Sequence, residues 1–179
     1  MDDCTYVIFG ATGNLSQVKL IPALYDLEAA GRLPPGLKIV GFGRRGWSDD
    51  DWREKIREWL GGKASDPAVV ARFCARQFFF QGNLDDQQAF PALRDYLLEG
   101  ARFSHNLIFY MAVAPADFGP VSHNLGAVGL CKEDGGWRRL VVEKPFGYDL
   151  ESAESLNRSL SRDFDESQIF RIDHYLGKG

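Results

Sequence analysis

A short apolar run that stops at a glycine turn and leads into a helical pattern constrains the fold of this chain more than any other feature. Residues 6–9 are rich in β-branched and aromatic side chains, which is typical of a buried strand. Gly10 and Gly13 permit a tight turn, and the free N–H groups at the start of the following helix favour an anionic phosphate. Ser16 is the small residue that lets this helix pack near the strand. The pattern predicts a nucleotide-binding β-α-β unit, although a sharp turn without a ligand would use the same glycines.

The second apolar run ends at two arginines. Residues 37–42 read as a strand, and Gly43, Arg44, Arg45 and Gly46 follow it. In dinucleotide-binding units this strand end meets the adenosine ribose, where an acidic residue suits NAD and an arginine accommodates the 2′-phosphate of NADP. A guanidinium group matches phosphate oxygens bidentately, so Arg44 favours NADP. The alternative is an exposed turn whose arginines contact only water.

Strands and helices alternate along the rest of the chain. Pro22 either kinks the first helix or marks where its regular part begins, and Gly31 is its expected stop. Further strands are predicted at residues 77–82, 106–113, 139–144 and 168–172, with helices between them, including one over residues 117–130. The alternation predicts an α/β fold, namely a Rossmann-like, doubly wound parallel sheet with helices on both faces in three layers.

Composition narrows the class of ligand. The chain has 179 residues, 45% of them hydrophobic, which suffice for one well-packed domain. A net charge of −4 without a basic stretch argues against nucleic acid or a membrane surface as partner. Cys4, Cys74 and Cys131 form no C-x-x-C pair, so we expect three structural thiols in a reducing cytoplasm. The start of the chain resembles neither a signal peptide nor a membrane span, and no residue set has the spacing of metal ligands, so no metal is expected.

Polar residues directly after the apolar runs are candidates for a site, because ligands of open α/β sheets lie beyond the carboxyl ends of the strands. Asn83 and Leu84 follow the third strand, where they could contact an adenosine or only cap a helix. Lys144 could bind phosphate or polarise a hydroxyl, unless it merely pairs with Glu143. Four polar residues follow the last strand, namely Asp173, His174, Tyr175 and Lys178. Their carboxylate, imidazole, phenol and amine groups could together bind a phosphate and orient a catalytic base.

Four segments of the chain closely resemble the glucose-6-phosphate 1-dehydrogenase family. They are GATGNL at residues 10–15, GFGR at 41–44, EKPFG at 143–147 and RIDHYLGK at 171–178, and the last two are highly specific to that family. The resemblance covers the whole chain. It implies NADP-dependent oxidation of the C1 hydroxyl of glucose 6-phosphate to the lactone, the first step of the pentose phosphate pathway.

The resemblance also implies roles for individual residues. Coenzyme contacts are expected from Gly10, Ala11, Thr12, Gly13, Asn14, Leu15, Ser16, Gln17, Arg44, Asn83, Leu84 and Lys144. Lys144 would also reach the sugar. The sugar phosphate would be held by His174, Tyr175 and Lys178, and Asp173 would orient the catalytic histidine. The family usually has Asp at position 14 and basic residues at positions 17 and 18, where this chain has Asn14, Gln17 and Val18.

By the same resemblance, residues 1–179 would form the NADP-binding Rossmann-like domain. In the family the general-base histidine, most of the substrate pocket and the interface of the homodimer or tetramer belong to a C-terminal domain, which is absent from this sequence. Negligible turnover by the chain alone is therefore expected. The alternatives are a non-catalytic NADP-binding or regulatory module and an oxidoreductase that acts on another substrate.

Overall fold

A six-stranded parallel sheet forms the centre of the molecule. The computed structural model describes residues 2–144 and 150–173, except for the side chains of Lys144, Leu150, Ser152 and Asp173. The strand order is β3-β2-β1-β4-β5-β6, and every neighbouring pair is parallel. The strands are β1 (Thr5–Phe9), β2 (Lys38–Gly43), β3 (Gln77–Gln81), β4 (Leu107–Met111), β5 (Arg138–Lys144) and β6 (Ile169–Asp173).

Within the described residues, six α-helices connect the strands and make the fold doubly wound, as the alternation predicts. They are α1 (Ile21–Ala29), α2 (Asp49–Leu60), α3 (Pro67–Ala75), α4 (Ala89–Leu98), α5 (Pro115–Ala127) and α6 (Leu150–Ser161). The chain winds outward from β1 to β3, returns to the other side of β1, and winds outward again from β4 to β6. The switch point between the two halves therefore lies between β1 and β4, which confirms the Rossmann-like prediction.

The two faces of the sheet carry separate cores. On one face α4, α5 and α6 pack against the strands of the sheet, and Phe78 and Phe80 of β3 join this core as partly buried residues. On the other face α1, α2 and α3 pack against the strands from β3 to β4, and the buried residues of this second core include none from β5 or β6. Among the described residues, Val141 of β5 and Ile172 of β6 pack against this second core and are partly buried.

The first helix has an irregular start that the proline explains. A π-helical segment, Ser16–Leu20, precedes α1, and its wider turn is closed by a hydrogen bond from the Ile21 N–H to the Ser16 carbonyl. Pro22 occupies the first turn of α1, and a proline there cannot donate to the carbonyl four residues earlier. Pro22 therefore marks where the regular helix begins, which is one of the two predicted roles. Gly31, at φ +70°, ends the helix as predicted.

One helix boundary differs from the prediction. The interval predicted at residues 117–130 is α5, Pro115–Ala127, so it begins two residues and ends three residues earlier. Pro115 sits in the first turn, where the fixed φ of proline suits a helix start. Gly129 takes φ +80° and lets the Leu130 N–H bond back to the Leu125 carbonyl, which closes the helix.

All three cysteines are buried and unpaired, as structural thiols should be. Burial raises the pKa of the Cys4 thiol to about 11 and raises the pKa values of Cys74 and Cys131 as well. Within the described part of the chain, no helix is long and apolar enough to cross a membrane.

Helix α2 protects the outer edge of the sheet at β3. The Asp49 carboxylate accepts a hydrogen bond from the Phe79 N–H at 2.7 Å. The Arg53 guanidinium donates to the carbonyls of Cys74 and Gln77 at 2.8–3.1 Å. These two side chains lie one helical turn apart and satisfy edge groups that would otherwise be available to another strand.

Candidate functional site

The carboxyl ends of β1 to β4 enclose a cleft at the switch point of the sheet. Its cavity volume is about 320 Å³, which is near the lower end of the range for small-molecule sites. The position is the one at which open α/β sheets bind ligands. The residues that line it are Gly10, Thr12, Gly13, Phe42, Gly43, Arg44, Gly82, Asn83, Leu84, Asp85, Ala112 and Asp117.

Gly10 sets the shape of the loop at the floor of the cleft. Its φ is +79°, and a Cβ atom at this position would clash with the Ala112 carbonyl oxygen and lie 2.9 Å from the Val113 Cγ1. The Gly13 N–H donates to the Gly10 carbonyl at 3.0 Å, and the Gln17 N–H donates to the Gly13 carbonyl at 3.1 Å. The loop therefore turns tightly into the helix, with its first N–H groups at the anion-attracting end of that helix.

Two further glycines bring the neighbouring strand ends close to this loop. A Cβ on Gly43 would lie 2.9 Å from the Thr12 Cγ2, and one on Gly82 would lie 2.5 Å from the Phe42 ring. The Ala11 N–H also donates to the Phe42 carbonyl at 3.2 Å. The absence of side chains at these positions leaves the cleft open next to the loop.

Arg44 is the cationic residue of the cleft lining. It directly follows β2 and is exposed. Its backbone carbonyl accepts a hydrogen bond from the Gln81 side-chain amide at 3.4 Å. A guanidinium at this place can donate two parallel hydrogen bonds to a phosphate. The geometry thus agrees with the sequence-based preference for a 2′-phosphorylated adenosine.

Asn83 lines the cleft and also serves as a turn residue. Its Oδ1 accepts a hydrogen bond from the Asp85 N–H at 3.0 Å, and its carbonyl accepts one from the Asp86 N–H. Asn83 therefore stabilises a turn and does not cap a helix, because α4 begins at Ala89 with Gln88 as its N-cap residue. With Oδ1 engaged in the turn, the amide NH₂ is the group that Asn83 can offer to a ligand.

Two carboxylates in the cleft lining, Asp85 and Asp117, are absent from the sequence-based site. Asp117 lies in the first turn of α5, and Asp85 lies in the turn after β3. Acidic residues are common in both places, because they stabilise the first turn of a helix and favour turn formation. The sequence therefore does not distinguish an acidic residue that lines a cleft from one that only caps a helix or forms a turn. Carboxylates can accept hydrogen bonds from ribose hydroxyls but repel phosphates.

The predicted coenzyme residues fall into three groups. Those that line the cleft are Gly10, Thr12, Gly13, Arg44, Asn83 and Leu84. Asn14 and Gln17 are exposed and Leu15 is half-buried beside the cleft. Ala11 and Ser16 are fully buried, so in this conformation they support the loop from beneath instead of facing a ligand. The burial of Ser16 agrees with its predicted packing role.

The second half of the predicted site is only partly described. Lys144 and Asp173 are the last residues of β5 and β6, and their Cα atoms are partners in the β5–β6 ladder. The two motifs, far apart in sequence, therefore end side by side at the carboxyl edge of the sheet. The predicted phosphate-binding residues His174, Tyr175 and Lys178 lie outside the described residues.

A partly buried polar pair lies just before Lys144. The Tyr110 hydroxyl on β4 donates to the Glu143 Oε1 on β5 at 2.6 Å, and the Tyr6 ring stacks on Tyr110 with centroids 6.0 Å apart. Burial and the hydrogen bond to Glu143 raise the pKa of Tyr110. Glu143 therefore has a partner on the neighbouring strand.

This chain is similar in sequence and in fold to known glucose-6-phosphate dehydrogenases. The enzyme named glucose-6-phosphate 1-dehydrogenase in Aggregatibacter actinomycetemcomitans is 41% identical over 99% of this chain. The one in Schizosaccharomyces pombe is 41% identical over 96% of it. This chain spans 37% and 35% of these relatives, respectively, and so about a third of their length.

Solved structures give the same result. A glucose-6-phosphate dehydrogenase in complex with its substrate glucose 6-phosphate superposes with a TM-score of 0.85 at 36% identity, over 98% of this chain and 37% of that one. The glucose-6-phosphate 1-dehydrogenase of Mycobacterium avium superposes with a TM-score of 0.86 at 34% identity over the same shares. The family described as glucose-6-phosphate dehydrogenase, NAD binding domain, matches residues 7–179, and this chain belongs to that family.

Proposed function

We propose that residues 1–179 form the coenzyme domain of a glucose-6-phosphate dehydrogenase and bind NADP in the cleft at the switch point. The observation that carries the proposal is the combination in one cleft of the Gly10 loop, which leads into a helix start, with Arg44 at the end of β2. The loop suits a pyrophosphate, and the guanidinium suits a 2′-phosphate on the adenosine ribose.

The coenzyme would lie across the carboxyl edge of the sheet. Arg44, Asn83 and Leu84 would bind the adenosine half, and the Gly10 to Gln17 loop would bind the pyrophosphate. The nicotinamide would then reach the ends of β4 and β5, near Ala112 and Lys144. When bound, NADP supplies the acceptor for a hydride.

We infer that the whole protein oxidises glucose 6-phosphate at C1. In this reaction the C1–H bond breaks, its electron pair leaves as hydride, and a base removes the hydroxyl proton, so that the lactone forms. Lys144 would contact both coenzyme and sugar. The sugar phosphate would be bound by His174, Tyr175 and Lys178, and Asp173 would orient the base.

The named substrate of a relative with 36% identity supports this assignment, and so does the pairing of Lys144 with Asp173 at one sheet edge. In the family the general base that removes the hydroxyl proton belongs to a domain outside the third of the relatives' length that this chain matches. We therefore expect this chain to bind coenzyme and to show no turnover by itself. The three buried thiols support a reducing, cytoplasmic setting. We also propose that the whole protein forms a homodimer or a tetramer.

Substitution of Arg44 tests the coenzyme preference. Arg44→Ala removes the only proposed partner of the 2′-phosphate, so we expect NADP to bind about 10- to 100-fold more weakly, which corresponds to about 1.4–3 kcal/mol. Binding of NAD, which lacks this phosphate, should change less than about threefold. Titration calorimetry of both coenzymes on the isolated chain measures the two effects.

Arg45→Ala is the matched control, because Arg45 is the neighbouring exposed arginine and does not line the cleft. It should leave both affinities nearly unchanged. Equal losses of NADP and NAD in Arg44→Ala would refute the assignment of the 2′-phosphate to Arg44. No binding of either coenzyme to the unsubstituted chain would refute the proposed cleft.

A further inference from the structure

The cleft at the switch point has an apolar wall on one side. Phe42 belongs to the core under α4, α5 and α6, and Leu84 packs against the same core. Both residues line the cleft together with Gly82, whose missing side chain leaves room next to the Phe42 ring. A wall of this kind suits the face of a planar base, because contact between the two removes apolar surface from water. This apolar wall, defined by Phe42, Gly82 and Leu84, is therefore the part of the cleft that fits a base.

Asp117 lies on the same side of the cleft as the apolar wall. It belongs to the first turn of α5, and the next residue, Phe118, is buried in the core that also contains Phe42. The Asp117 side chain is half-buried and lines the cleft. Among the residues that the structure describes, its carboxylate forms no hydrogen bond and no ion pair. Its two oxygens have about four acceptor sites between them, so Asp117 is suited to accept hydrogen bonds from a ligand.

The charge of Asp117 limits which part of a coenzyme can lie beside it. A carboxylate repels phosphates, so the pyrophosphate and the 2′-phosphate belong with the Gly10 loop and with Arg44. The adenosine half also has two kinds of neutral donor, which are the free ribose hydroxyl and the 6-amino group of adenine. The ribose follows its 2′-phosphate towards Arg44, whereas the apolar wall suits the base. The 6-amino group is therefore the donor that fits Asp117.

Asp85 is the other carboxylate of the cleft lining, and it is less suited to this role. It is exposed and follows Leu84 in the turn after β3. Water competes for an exposed acceptor, so a hydrogen bond to it contributes less to binding than one to a half-buried group. Asp85 therefore provides a matched control, because it has the same charge in the same cleft at a higher exposure.

We propose that Asp117 accepts a hydrogen bond from the 6-amino group of the coenzyme's adenine and thereby selects a 6-amino purine over a 6-oxo purine. This inference rests on the proposed binding of NADP in the cleft. In the analogue that carries hypoxanthine, a carbonyl oxygen replaces the amino group, so two acceptors would face each other. The half-buried carboxylate would lose its donor, and NADP should therefore bind about 10-fold more tightly than the analogue.

Titration calorimetry with NADP and with nicotinamide hypoxanthine dinucleotide phosphate tests the proposal. The measured quantity is the ratio of the two Kd values, which should be about 10 for the unsubstituted chain. An amide can present either its oxygen to adenine or its NH₂ group to hypoxanthine, so Asp117→Asn should lower the ratio to about 1–2. Asp85→Asn removes the same charge from the cleft and should leave the ratio unchanged.

The outcomes separate this inference from the proposed function. Equal losses of affinity for both coenzymes in Asp117→Asn would mean that Asp117 binds a ribose hydroxyl or the nicotinamide amide, which overturns the inference. A ratio near 1 for the unsubstituted chain, with NADP bound, would overturn it as well and leave the proposed function intact. Binding of neither coenzyme to the unsubstituted chain would refute both. Circular dichroism and urea unfolding check that Asp117→Asn keeps its fold, because an acidic residue in the first turn also stabilises a helix.

Discussion

Gly10 is a residue that the fold itself requires. Its positive φ and its closeness to the Ala112 carbonyl exclude any side chain, whether or not a phosphate binds. The glycine of the loop is thus explained by strand-end packing alone. Arg44 has no such explanation in the fold, because its side chain is exposed at the rim of the cleft. The proposed preference for NADP therefore rests on Arg44 more than on the glycines.

Gly10→Ala should destabilise the chain and remove coenzyme binding. A left-handed φ costs an alanine about 1–2 kcal/mol, and forced displacement of a packed loop adds about 1–3 kcal/mol. Gly31→Ala is the matched control, because Gly31 has φ +70° but no atom within 4 Å of the added Cβ. Urea unfolding should show a loss of about 3 kcal/mol for the first variant and about 1 kcal/mol for the second. Equal losses would mean that the contact with Ala112 has no energetic weight.

At the scale of residues, sequence patterns predict the positions that depend on backbone geometry or on a rare residue type. The strand-end location of Gly10, Arg44 and Asn83 follows from the end of each apolar run. Asp85 and Asp117 could not be predicted as cleft residues, because their presence there depends on how the turn after β3 and the start of α5 fold over the opening. No local sequence pattern indicates how close these two turns lie to the cleft.

At the scale of elements, the contact between α2 and β3 is a specific source of stability. Arg53 donates to two carbonyls of the segment that leads into β3, and its side chain is 23% exposed. Arg53→Ala should therefore lower the free energy of unfolding by about 1–2 kcal/mol, since hydrogen bonds to a charged donor are lost. The uncapped edge should also increase aggregation. Urea unfolding and light scattering measure the two effects.

Arg57→Ala gives the comparison for Arg53. Arg57 lies one turn further along α2, where its side chain is 48% exposed and pairs with Glu54 at 3.6 Å. Such a surface pair contributes about 0–1 kcal/mol. If both variants lose the same small amount, the edge contacts of Arg53 do not stabilise the sheet.

The sequence predicts the existence of the elements better than their ends. Apolar periodicity and caps locate all six strands and the main helices, including the serine-capped start of α2. The π-helical segment before α1 does not follow from the sequence, because a proline in a helix is compatible with a kink, a break or a wider turn. The early end of α5 reflects the left-handed conformation of Gly129, one of several glycines near that boundary.

At the scale of the whole molecule, alternation of strands and helices is enough to predict a doubly wound sheet, since crossover connections are right-handed. The same winding accounts for the distribution of the described helices, because α1, α2 and α3 lie on one face of the sheet and α4, α5 and α6 on the other.

Coenzyme binding should stabilise the entire domain. A ligand that binds only the folded chain at a concentration 100 times its Kd adds about 2.7 kcal/mol to the free energy of unfolding. For a chain of this length, NADP should then raise the Tm by about 5–10 °C. NAD at the same concentration should raise it less, because it lacks the phosphate that we propose Arg44 to bind. Differential scanning fluorimetry measures both, and equal shifts would contradict the preference.

The pairing of Lys144 with Asp173 has a consequence for how this domain can vary. The register of the β5–β6 ladder determines the positions of both residues. The segment 162–168 only connects the end of α6 to the start of β6. Insertions in that connection would leave the two ends aligned. Deletion of one residue within β6 would turn every later side chain to the opposite face and bring a different residue next to Lys144. Length variation is thus tolerated in the connection and forbidden in the strand.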